Sequence, residues 1–320
     1  RRRGHTFGTM CIPPHSIKDA QAKAFAASGL VKDARLNLAL IPGTSFNPIG
    51  FAELPLFLTL AFVYRAQFEP KMLGPMFLFY LWKECIPMSV CLHRYFSHKG
   101  FKCGRVTQFM LYIGGCLASQ GAPLWWASKH RRHHAHCDTK EDPHSPVAFG
   151  KLYAWMGWVY SRDGEGPFGS GHDQEYMQDH LKFPELALME NFYFVPVFAV
   201  HLVFYLTLGP AWAIYCSMMS GCLCMSLTLY FNVMFHDHPA PKTEAEKAKF
   251  ANPTGVCRAK DIPFDPLANT FGEAYHGWHH RHPLAYKRPG LDLPYWTFLK
   301  PLLALGVIWG PNKMHMVKVA

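Results

Sequence analysis

Residues 130–146 read HRRHHAHCDTKEDPHSP, and this stretch decides how the rest of the chain is interpreted. His130, His133 and His134 stand at positions i, i+3 and i+4, which share one face of an α-helix. Two structures fit such a triple. One is a metal site, since imidazole is the commonest metal-binding side chain; the other is a basic solvated helix face, which Arg131 and Arg132 would extend.

Two further histidine clusters occur in the same chain. His276, His279 and His280 repeat the spacing of the first triple in the string HGWHH. His93 and His98 lie five residues apart in the string HRYFSH, and positions i and i+5 point about 140° apart on an ideal helix. This pair therefore serves either two neighbouring metals or one metal from a distorted helix end. Three clusters in one chain favour the metal interpretation.

Composition indicates a membrane protein with a large polar part. Of the 320 residues, 50% are hydrophobic and 15% aromatic, yet the mean hydropathy is only −0.02. This combination differs from that of a soluble globule or of a bundle made only of spans. The net charge of +10 comes without a nucleic-acid recognition motif, so we expect attraction to an anionic membrane surface and no nucleic-acid partner.

The ten cysteines are scattered through the chain, and none forms a C-x-x-C pair. They therefore predict no disulfide framework. The chain also has no N-x-S/T acceptor for glycosylation. Both features favour a site that faces a reducing compartment.

Four apolar segments predict two helical hairpins that span a membrane: residues 48–64, 72–92, 192–208 and 211–235. About 20 helical residues cross a hydrocarbon core of about 30 Å. With four spans, all three histidine clusters lie on one side, together with most of the Lys and Arg residues of the connections. The positive-inside rule makes that side cytoplasmic, or the matrix or stroma of an organelle.

The remaining segments flank this membrane domain, which we place at residues 48–310. Residues 106–126 and 295–309 are apolar but interrupted, and we expect helices that lie against the membrane surface or pack on the spans. Residues 1–47 form a polar N-terminal arm and residues 311–320 a C-terminal tail. The arm begins with three arginines, which indicate either a surface arm or part of an organellar presequence.

The three histidine clusters, in this order, resemble the histidine boxes of the membrane-bound fatty-acyl desaturase family. The extended strings HRYFSHKGFK, HRRHHAHCDTKEDPHSP and GEAYHGWHHRHP are most similar to its Δ9 acyl-CoA and acyl-lipid branch. The resemblance covers about residues 48–300. It implies an all-α integral membrane fold, in which four transmembrane helices in two hairpins carry a helical cytoplasmic-side cap with a diiron centre.

In that family, nine histidines hold the two iron ions, and one asparagine acts through water. Asn232 and His236, in the string YFNVMFHDH, match the family's asparagine and ninth histidine. The resemblance therefore implies Asn232 as the indirect contact and the following metal ligands: His93, His98, His130, His133, His134, His236, His276, His279 and His280.

Other polar residues near the boxes are expected to support the ligands. Carboxylates that could orient the imidazole N–H groups are Glu84, Asp138, Glu141, Asp142, Asp237 and Glu273. Histidines that match no ligand position in the family, and are expected at the surface or behind the ligands, are His136, His144, His238 and His282.

The resemblance implies an O₂-dependent oxidoreductase that inserts a cis double bond, with Δ9 as the expected position, into an acyl-CoA or acyl-lipid chain. Imidazole suits iron, and two reduced irons can supply the strong oxidant that an unactivated methylene requires. No fused haem-binding domain is evident, so we expect electrons from a separate donor such as cytochrome b5 or ferredoxin. The expected membrane is the endoplasmic reticulum or an organellar inner membrane.

The sequence departs from the family pattern in several places. Pro87 and Cys91 precede the first box where glycine is usual, and Gly277 occupies a third-box position where asparagine is typical. Counting without gaps places Phe77 and Leu81 at the far end of the acyl tunnel, where bulky side chains would shorten it. A charged insert, KTEAEKAK, precedes the third box and could contact the donor or another protein.

Three alternatives remain at this stage. A lipid hydroxylase could use the same site and would differ only in its product. An accessory subunit of a larger organellar membrane complex would leave the site idle; the Arg-rich start, the insert and the lost glycines favour it, whereas the complete ligand set argues against it. A zinc hydrolase lacks the glutamate of H-E-x-x-H and leaves the other histidine clusters unexplained.

Overall fold

The computed structural model describes residues 48–160, 176–239, 242–247 and 257–310. The predicted N-terminal arm, the C-terminal tail and the last two residues of the charged insert lie outside these residues.

Helices dominate the described residues, in agreement with the predicted all-α class. The longer α-helices are Pro48–Val63, Leu73–Lys83, Arg105–Cys116, Pro123–His136, Phe194–Leu208 and Met219–His236. The shorter α-helices are Pro146–Phe149, Trp158–Tyr160, Gln178–Leu181, Pro184–Met189, Pro210–Trp212, Glu244–Lys247, Pro266–Thr270, His276–Arg281 and Lys300–Ala304. Segments of π-helix are Glu84–Ser97, Tyr153–Gly157, Ala213–Met218 and Tyr295–Leu299, and 3₁₀ turns are Arg65–Gln67 and Pro70–Met72. Two short strands, Lys102–Cys103 and Ile308–Trp309, pair antiparallel.

Four helical elements position the histidines, and we name them by the sequence that they carry. The first-box helix consists of Leu73–Lys83 and its π-helical continuation Glu84–Ser97. The second-box helix is Pro123–His136, and the third-box helix is His276–Arg281. The long apolar helix is Pro210–His236, which ends at the predicted ninth ligand.

The long apolar helix, of 27 residues, is the one helix in the described ranges that is long and apolar enough to cross a membrane. The apolar helices Glu53–Val63 and Phe194–Leu208 are shorter. The first-box helix carries Lys83 and Glu84 in its middle, and both are buried within the protein. The helix class of the prediction is therefore confirmed, while the four-span topology stays a prediction.

Helix Arg105–Cys116, from the apolar stretch at 106–126, packs closely against the first-box helix. A Cβ atom on Gly114 would lie 3.0 Å from Cys91 Sγ, and one on Gly115 would lie 2.9 Å from Leu92 Cδ2. The glycines that permit this approach are thus on the neighbouring helix, whereas the first-box helix itself has a cysteine. The helix from this stretch thus packs on the first-box helix, while its position relative to a membrane stays a prediction.

A buried carboxylate accepts hydrogen bonds from the backbone N–H groups at the start of the second-box helix. Its N-cap residue, Ala122, has no side-chain acceptor for the free N–H groups of the first turn. Glu190 supplies one: its Oε1 accepts from Leu124 N at 2.8 Å and from Tyr112 Oη at 2.8 Å, and its Oε2 accepts from Trp125 N at 3.3 Å. The carboxylate therefore fixes the end of the helix that carries the second box.

We predict that Glu190→Ala lowers the stability of the protein by about 2–5 kcal/mol, because it removes one acceptor from several buried donors. Thermal unfolding of the detergent-solubilised protein measures the effect. The matched control is Glu185→Ala, which removes only a partly exposed ion pair with Arg105 and costs about 1 kcal/mol or less. Similar losses for the two variants would contradict the capping role.

Candidate metal centre

The π-helical geometry of the first-box helix brings His93 and His98 together. The amide of His98 donates to the carbonyl of His93 at 3.2 Å, an i+5 to i hydrogen bond. A wider helical turn places residues five apart on nearly the same face, and such segments are frequent at functional sites. Of the two sequence-based alternatives, the structure has the distorted helix end: both side chains belong to one cluster.

The nine histidines form two adjacent clusters, in each of which the candidate ligand atoms lie within 4.8 Å of one another. We call them site A and site B. Site A consists of His93, His98, His130, His134 and His279. Site B consists of His133, His236, His276 and His280. The structure thus brings together all nine histidines that the resemblance implied, and it divides the second and third boxes between two sites.

Within both sites, the Nε2 atoms face one another. In site A, Nε2 of His93 lies 3.0 Å from Nε2 of His279. In site B, Nε2 of His236 lies 2.9 Å from that of His276, and Nε2 of His133 is buried without a hydrogen-bond partner. Hydrogen bonds alone cannot satisfy so many converging ring nitrogens, because a neutral imidazole has one donor and one acceptor. Nitrogens that bind one metal at about 2.1 Å and at right angles are about 3 Å apart, so the donor set fits a metal in each site.

Carboxylates lie behind three of these histidines and accept from Nδ1. The pairs are Glu273 with His93 at 3.2 Å, Asp142 with His133 at 2.9 Å, and Asp138 with His236 at 3.0 Å. Such contacts fix the ring orientation and leave Nε2 free to bind a metal. Burial alone would raise the pKa of Glu273, but Arg288 and His93 lower it to about 2, so this carboxylate is ionised at neutral pH.

The other candidate carboxylates have different partners. Glu84 is buried and lies 3.0 Å from Thr228 Oγ1. Asp237 forms an ion pair with Lys151 at 2.5 Å, and Glu141 is exposed. Three of the six predicted carboxylates therefore contact a clustered histidine directly.

Of the described histidines outside the predicted set, His144 contacts a member of site B. It is buried, and its ring stacks on His133 with centroids 4.6 Å apart. His136 contacts Tyr176 Oη at 3.1 Å, and His282 contacts the carbonyl of Trp278 at 3.0 Å. The structure thus places His144 behind a predicted ligand.

Arg288 is a residue of the site that the sequence motifs did not indicate. It is 2% exposed, its Nη1 donates to Glu273 Oε2, and its Nη2 lies 3.3 Å from His93 Nε2. A second buried arginine, Arg94, forms an ion pair with Asp292 at 2.7 Å. Neither arginine stands at a spacing that predicts these contacts.

Gly277 occupies a place where a side chain does not fit. A Cβ atom there would lie 2.8 Å from the carbonyl oxygen of Ala259. The amide of the next residue, Trp278, donates to Asp261 Oδ1 at 2.9 Å. Close approach of the segment at 257–261 thus explains why this chain has glycine at the family's asparagine position.

Cys137 and Cys257 form a disulfide beside site B, which corrects the prediction of no disulfide. Cys137 Sγ lies 3.7 Å from His236 Nδ1, and Cys257 Sγ lies 3.6 Å from His280 Nδ1. The two cysteines are 120 residues apart, so no local spacing could have revealed the pair. Since disulfides are rare in reducing compartments, the cysteine pattern no longer supports a site that faces one.

A cavity of about 250 Å³ opens beside both sites. Its wall includes His93 and His130 of site A, His276 of site B, and Asn232. Asn232 lies on the same helix as His236, one turn before it. Other lining residues are mainly aromatic or apolar, among them Tyr80, Met88, Trp126, Trp158, Phe231 and Phe271.

Phe77 and Leu81, the residues that ungapped counting placed at the tunnel end, are not among the residues that line this cavity. Phe77 is 44% exposed, and Leu81 packs beside the cluster that contains Tyr80 and Met88. Tyr80 and Met88 face the cavity instead.

The sequence model of the fatty acid desaturase family matches residues 72–300 of this chain. This range contains both histidine clusters, the cavity and the helices that position them. The chain belongs to the fatty acid desaturase family.

Three curated relatives illustrate the similarity. The Δ9 fatty-acid desaturase fat-6 of Caenorhabditis elegans is 26% identical over 77% of this chain and 73% of its own length. Stearoyl-CoA desaturase 4 of Mus musculus is 26% identical over 61% of this chain and 54% of its own. The probable lipid desaturase ADS3.2, chloroplastic, of Arabidopsis thaliana is 29% identical over 48% of this chain and 41% of its own. The chain thus spans about half or less of the length of several of the relatives that it matches.

We predict that Asp142→Asn lowers the affinity of site B for metal about 10- to 100-fold, because a neutral amide orients and polarises His133 less than a carboxylate does. Competition with a chelator, followed by metal analysis, measures the change. The neighbouring exposed variant Glu141→Gln removes the same charge and serves as the control. Equal affinities for the two variants would show that Asp142 does not support the site.

We also predict that the metal-free protein loses stability as the pH falls below about 6.5. Burial lowers the pKa of six clustered histidines well below the ordinary value: His98, His130, His134, His276, His279 and His280. In the unfolded chain they titrate near 6.5, so below that pH the unfolded state binds protons that the folded state does not. Each such histidine costs about 1.4 kcal/mol per pH unit.

The pH dependence of stability that His133 contributes has the opposite sign. Burial would lower the pKa of His133, but the neighbouring Asp142 raises it. The stability that His133 contributes is lost as the pH rises through its folded-state pKa, but one group does not outweigh six. Melting temperatures of the metal-free protein at pH 7.5, 6.5 and 5.5 test the prediction. A melting temperature that stays constant or rises over this interval would contradict it.

Proposed function

We propose that this chain is an O₂-dependent fatty-acyl desaturase, which inserts a cis double bond, at Δ9, into an acyl chain held in the cavity beside a diiron centre. The observation that carries the proposal is the common wall of the cavity and the two histidine sites, formed by His93, His130 and His276. Membership of the desaturase family supports the same reaction.

The two sites would each hold one iron ion, and the pair would supply the oxidant that removes two hydrogens from adjacent methylenes while O₂ is reduced to water. Asn232, on the cavity wall, is the proposed indirect contact. The chain's own residues orient this centre: Glu273, Asp142 and Asp138 accept from Nδ1 and hold Nε2 toward the metals. The centre is thus preorganised, because the rings are fixed before a substrate enters.

Aromatic residues of the cavity separate the acyl chain from water at the centre. Trp126 stacks on His130 with ring centroids 5.1 Å apart, and Trp158 contacts His144 at 5.1 Å. Both tryptophans also line the cavity. An apolar wall against the histidines favours a methylene chain and excludes water, which would otherwise intercept a strong oxidant.

The finer features of the proposal concern topology and electron supply. Two hairpins of four spans would place both sites on the cytoplasmic, matrix or stromal side of the endoplasmic reticulum or an organellar inner membrane. A separate donor such as cytochrome b5 or ferredoxin would supply the electrons. The long apolar helix supports the membrane position, since it ends at His236 in site B.

Two measurements test the function. We expect two irons per chain in the gently purified protein, and a new monounsaturated acid in the fatty-acid profile of cells that express it. His279→Ala should lose iron and product, because His279 lies in site A. His282→Ala is the matched control, since this histidine is three residues away, belongs to neither site, and hydrogen-bonds to the carbonyl of Trp278 in its own segment.

The products also separate the alternatives. A hydroxylated acid would indicate a lipid hydroxylase that uses the same centre. Little iron, no new product and persistent association with a larger membrane complex would overturn the catalytic proposal and favour an accessory subunit.

A further inference from the structure

His98 lies at the C-terminal end of the first-box helix, where the backbone needs hydrogen-bond donors from elsewhere. The chain leaves the helix at Lys99, whose φ of 52° lies in the left-handed region. The last carbonyl groups of a helix have no N–H partner within that helix. This applies to the carbonyls of Phe96 and Ser97, which directly precede His98. The carbonyl of Ser97 also belongs to the peptide bond that carries the His98 amide.

Arg131, on the second-box helix directly after His130, supplies these donors. Its Nε donates to the carbonyl of Ser97 at 2.6 Å, and its Nη2 donates to the carbonyl of Phe96 at 2.6 Å. Nε2 of His98 lies 2.8 Å from Nε2 of His130, and both histidines belong to site A. The guanidinium group therefore joins backbone positions next to two members of the same site.

A third segment of the chain fixes the guanidinium group. Nη1 of Arg131 donates to the carbonyl of Tyr176 at 2.6 Å and to Asp179 Oδ1 at 2.9 Å, and Nη2 also donates to Asp179 Oδ2 at 3.2 Å. Asp179 forms a further ion pair with Lys99 at 2.5 Å. All five N–H donors of Arg131 thus have an acceptor, and the bidentate pair with Asp179 sets the plane of the guanidinium group.

This arrangement uses the shape of arginine as well as its charge. The guanidinium group presents five donors in a planar fork, whereas the ammonium group of lysine has three donors on one nitrogen. Arg131 reaches two carbonyls of the first-box helix together with one carbonyl and one carboxylate of the third segment. A lysine at this position would keep the positive charge but could not bind all four groups.

We propose that Arg131 is a positioning residue for the metal centre, which fixes the backbone of His98 against the second-box helix and so keeps His98 Nε2 in site A. The inference rests on the proposed function, since it assumes that site A holds a metal ion. The five donors of Arg131 all bind groups other than ligand nitrogens, so the arginine acts through His98. Functional side chains must be held within about 0.5 Å of their working geometry.

Anaerobic binding of ferrous ions to the metal-free, detergent-solubilised protein tests this role without turnover. Competition with a chelator gives the two dissociation constants, and His98→Ala identifies the constant of site A, because it weakens that one. We expect Arg131→Lys to weaken metal binding at site A about 10- to 100-fold, the effect typical of groups that support a metal ligand, and to leave site B unchanged.

The matched control is Arg105→Lys. Arg105 also forms a bidentate pair with a carboxylate, since its Nε and Nη2 each lie 2.7 Å from an oxygen of Glu185. Its side chain is exposed, and it belongs to neither site. Arg105→Lys should therefore change neither dissociation constant.

Two further variants test whether Arg131 acts through His98. When Arg131→Lys is added to His98→Ala, the metal binding that His98→Ala retains should not weaken further, because the side chain that Arg131 positions is then absent. Asp179→Asn keeps Arg131 but removes the charge that sets the plane of its guanidinium group. This milder variant should weaken site A by a smaller factor, and it provides the same test if Arg131→Lys does not fold.

The possible outcomes distinguish this inference from the proposed function. A parent protein that binds no ferrous ion would overturn both. Two irons in the parent, with unchanged constants in Arg131→Lys or in its substitute Asp179→Asn, would overturn the role of Arg131 alone. A lower melting temperature with unchanged constants counts the same way, because Arg131 would then stabilise the fold without positioning His98. A further loss of binding in the double variant would also reject the inference.

Discussion

The structure depends on nine imidazoles that meet, with Nε2 inward, in a buried region. Site A and site B each bring ring nitrogens to about 3 Å, and histidines such as His133, His236 and His279 are almost fully inaccessible to solvent. A protonated imidazole in this place would lose its hydration and face other cations, so burial favours the neutral form. Neutral imidazole is also the form that binds a metal. Burial therefore keeps the imidazoles in the form that binds a metal. It also lowers the stability of the metal-free protein, because the converging ring nitrogens then lack partners.

The surrounding charges stabilise this arrangement on the Nδ1 side of the imidazole rings. Glu273, Asp142 and Asp138 accept from Nδ1 of their histidines, and Arg288 balances Glu273 within the protein. Arg94 does the same for Asp292. Because buried charges are tolerated only when they are paired and hydrogen-bonded, these pairs tie residues 273–292 to the first-box helix. The third box thus reaches the centre through a network of charges in addition to its own short helix.

The sequence predicted the parts of the site that depend on local spacing. The i, i+3 and i+4 triples of the second and third boxes were visible in the sequence, and the resemblance to the desaturase family, now confirmed, joined them with His93, His98 and His236. Iron ligation by these residues remains a proposal. Spacing could not predict the π-helix, since the choice of an i+5 hydrogen bond depends on what the helix packs against.

Contacts between distant segments account for what the sequence did not predict. Arg288, 195 residues from His93, and the pair Cys137–Cys257, 120 residues apart, are neighbours only after folding. Phe77 and Leu81 are not among the residues that line the cavity, whereas Tyr80 and Met88 are, and the tunnel-end role of the first two stays a prediction. Four spans could be expected from hydropathy, but burial of Lys83 and Glu84 within the protein makes the first-box helix unlike a lipid-facing segment.

The close contact at Gly277 bears on how this chain could have diverged from its relatives. The carbonyl of Ala259 occupies the space that a Cβ atom at position 277 would need, so the asparagine typical of the family would collide with backbone. The glycine at position 277 and the backbone path of residues 257–261 therefore depend on each other. In an ancestor with asparagine at this position, glycine had to come first or the segment had to move with it. A single substitution of Gly277 back to asparagine would not fit as long as residues 257–261 keep their present backbone path.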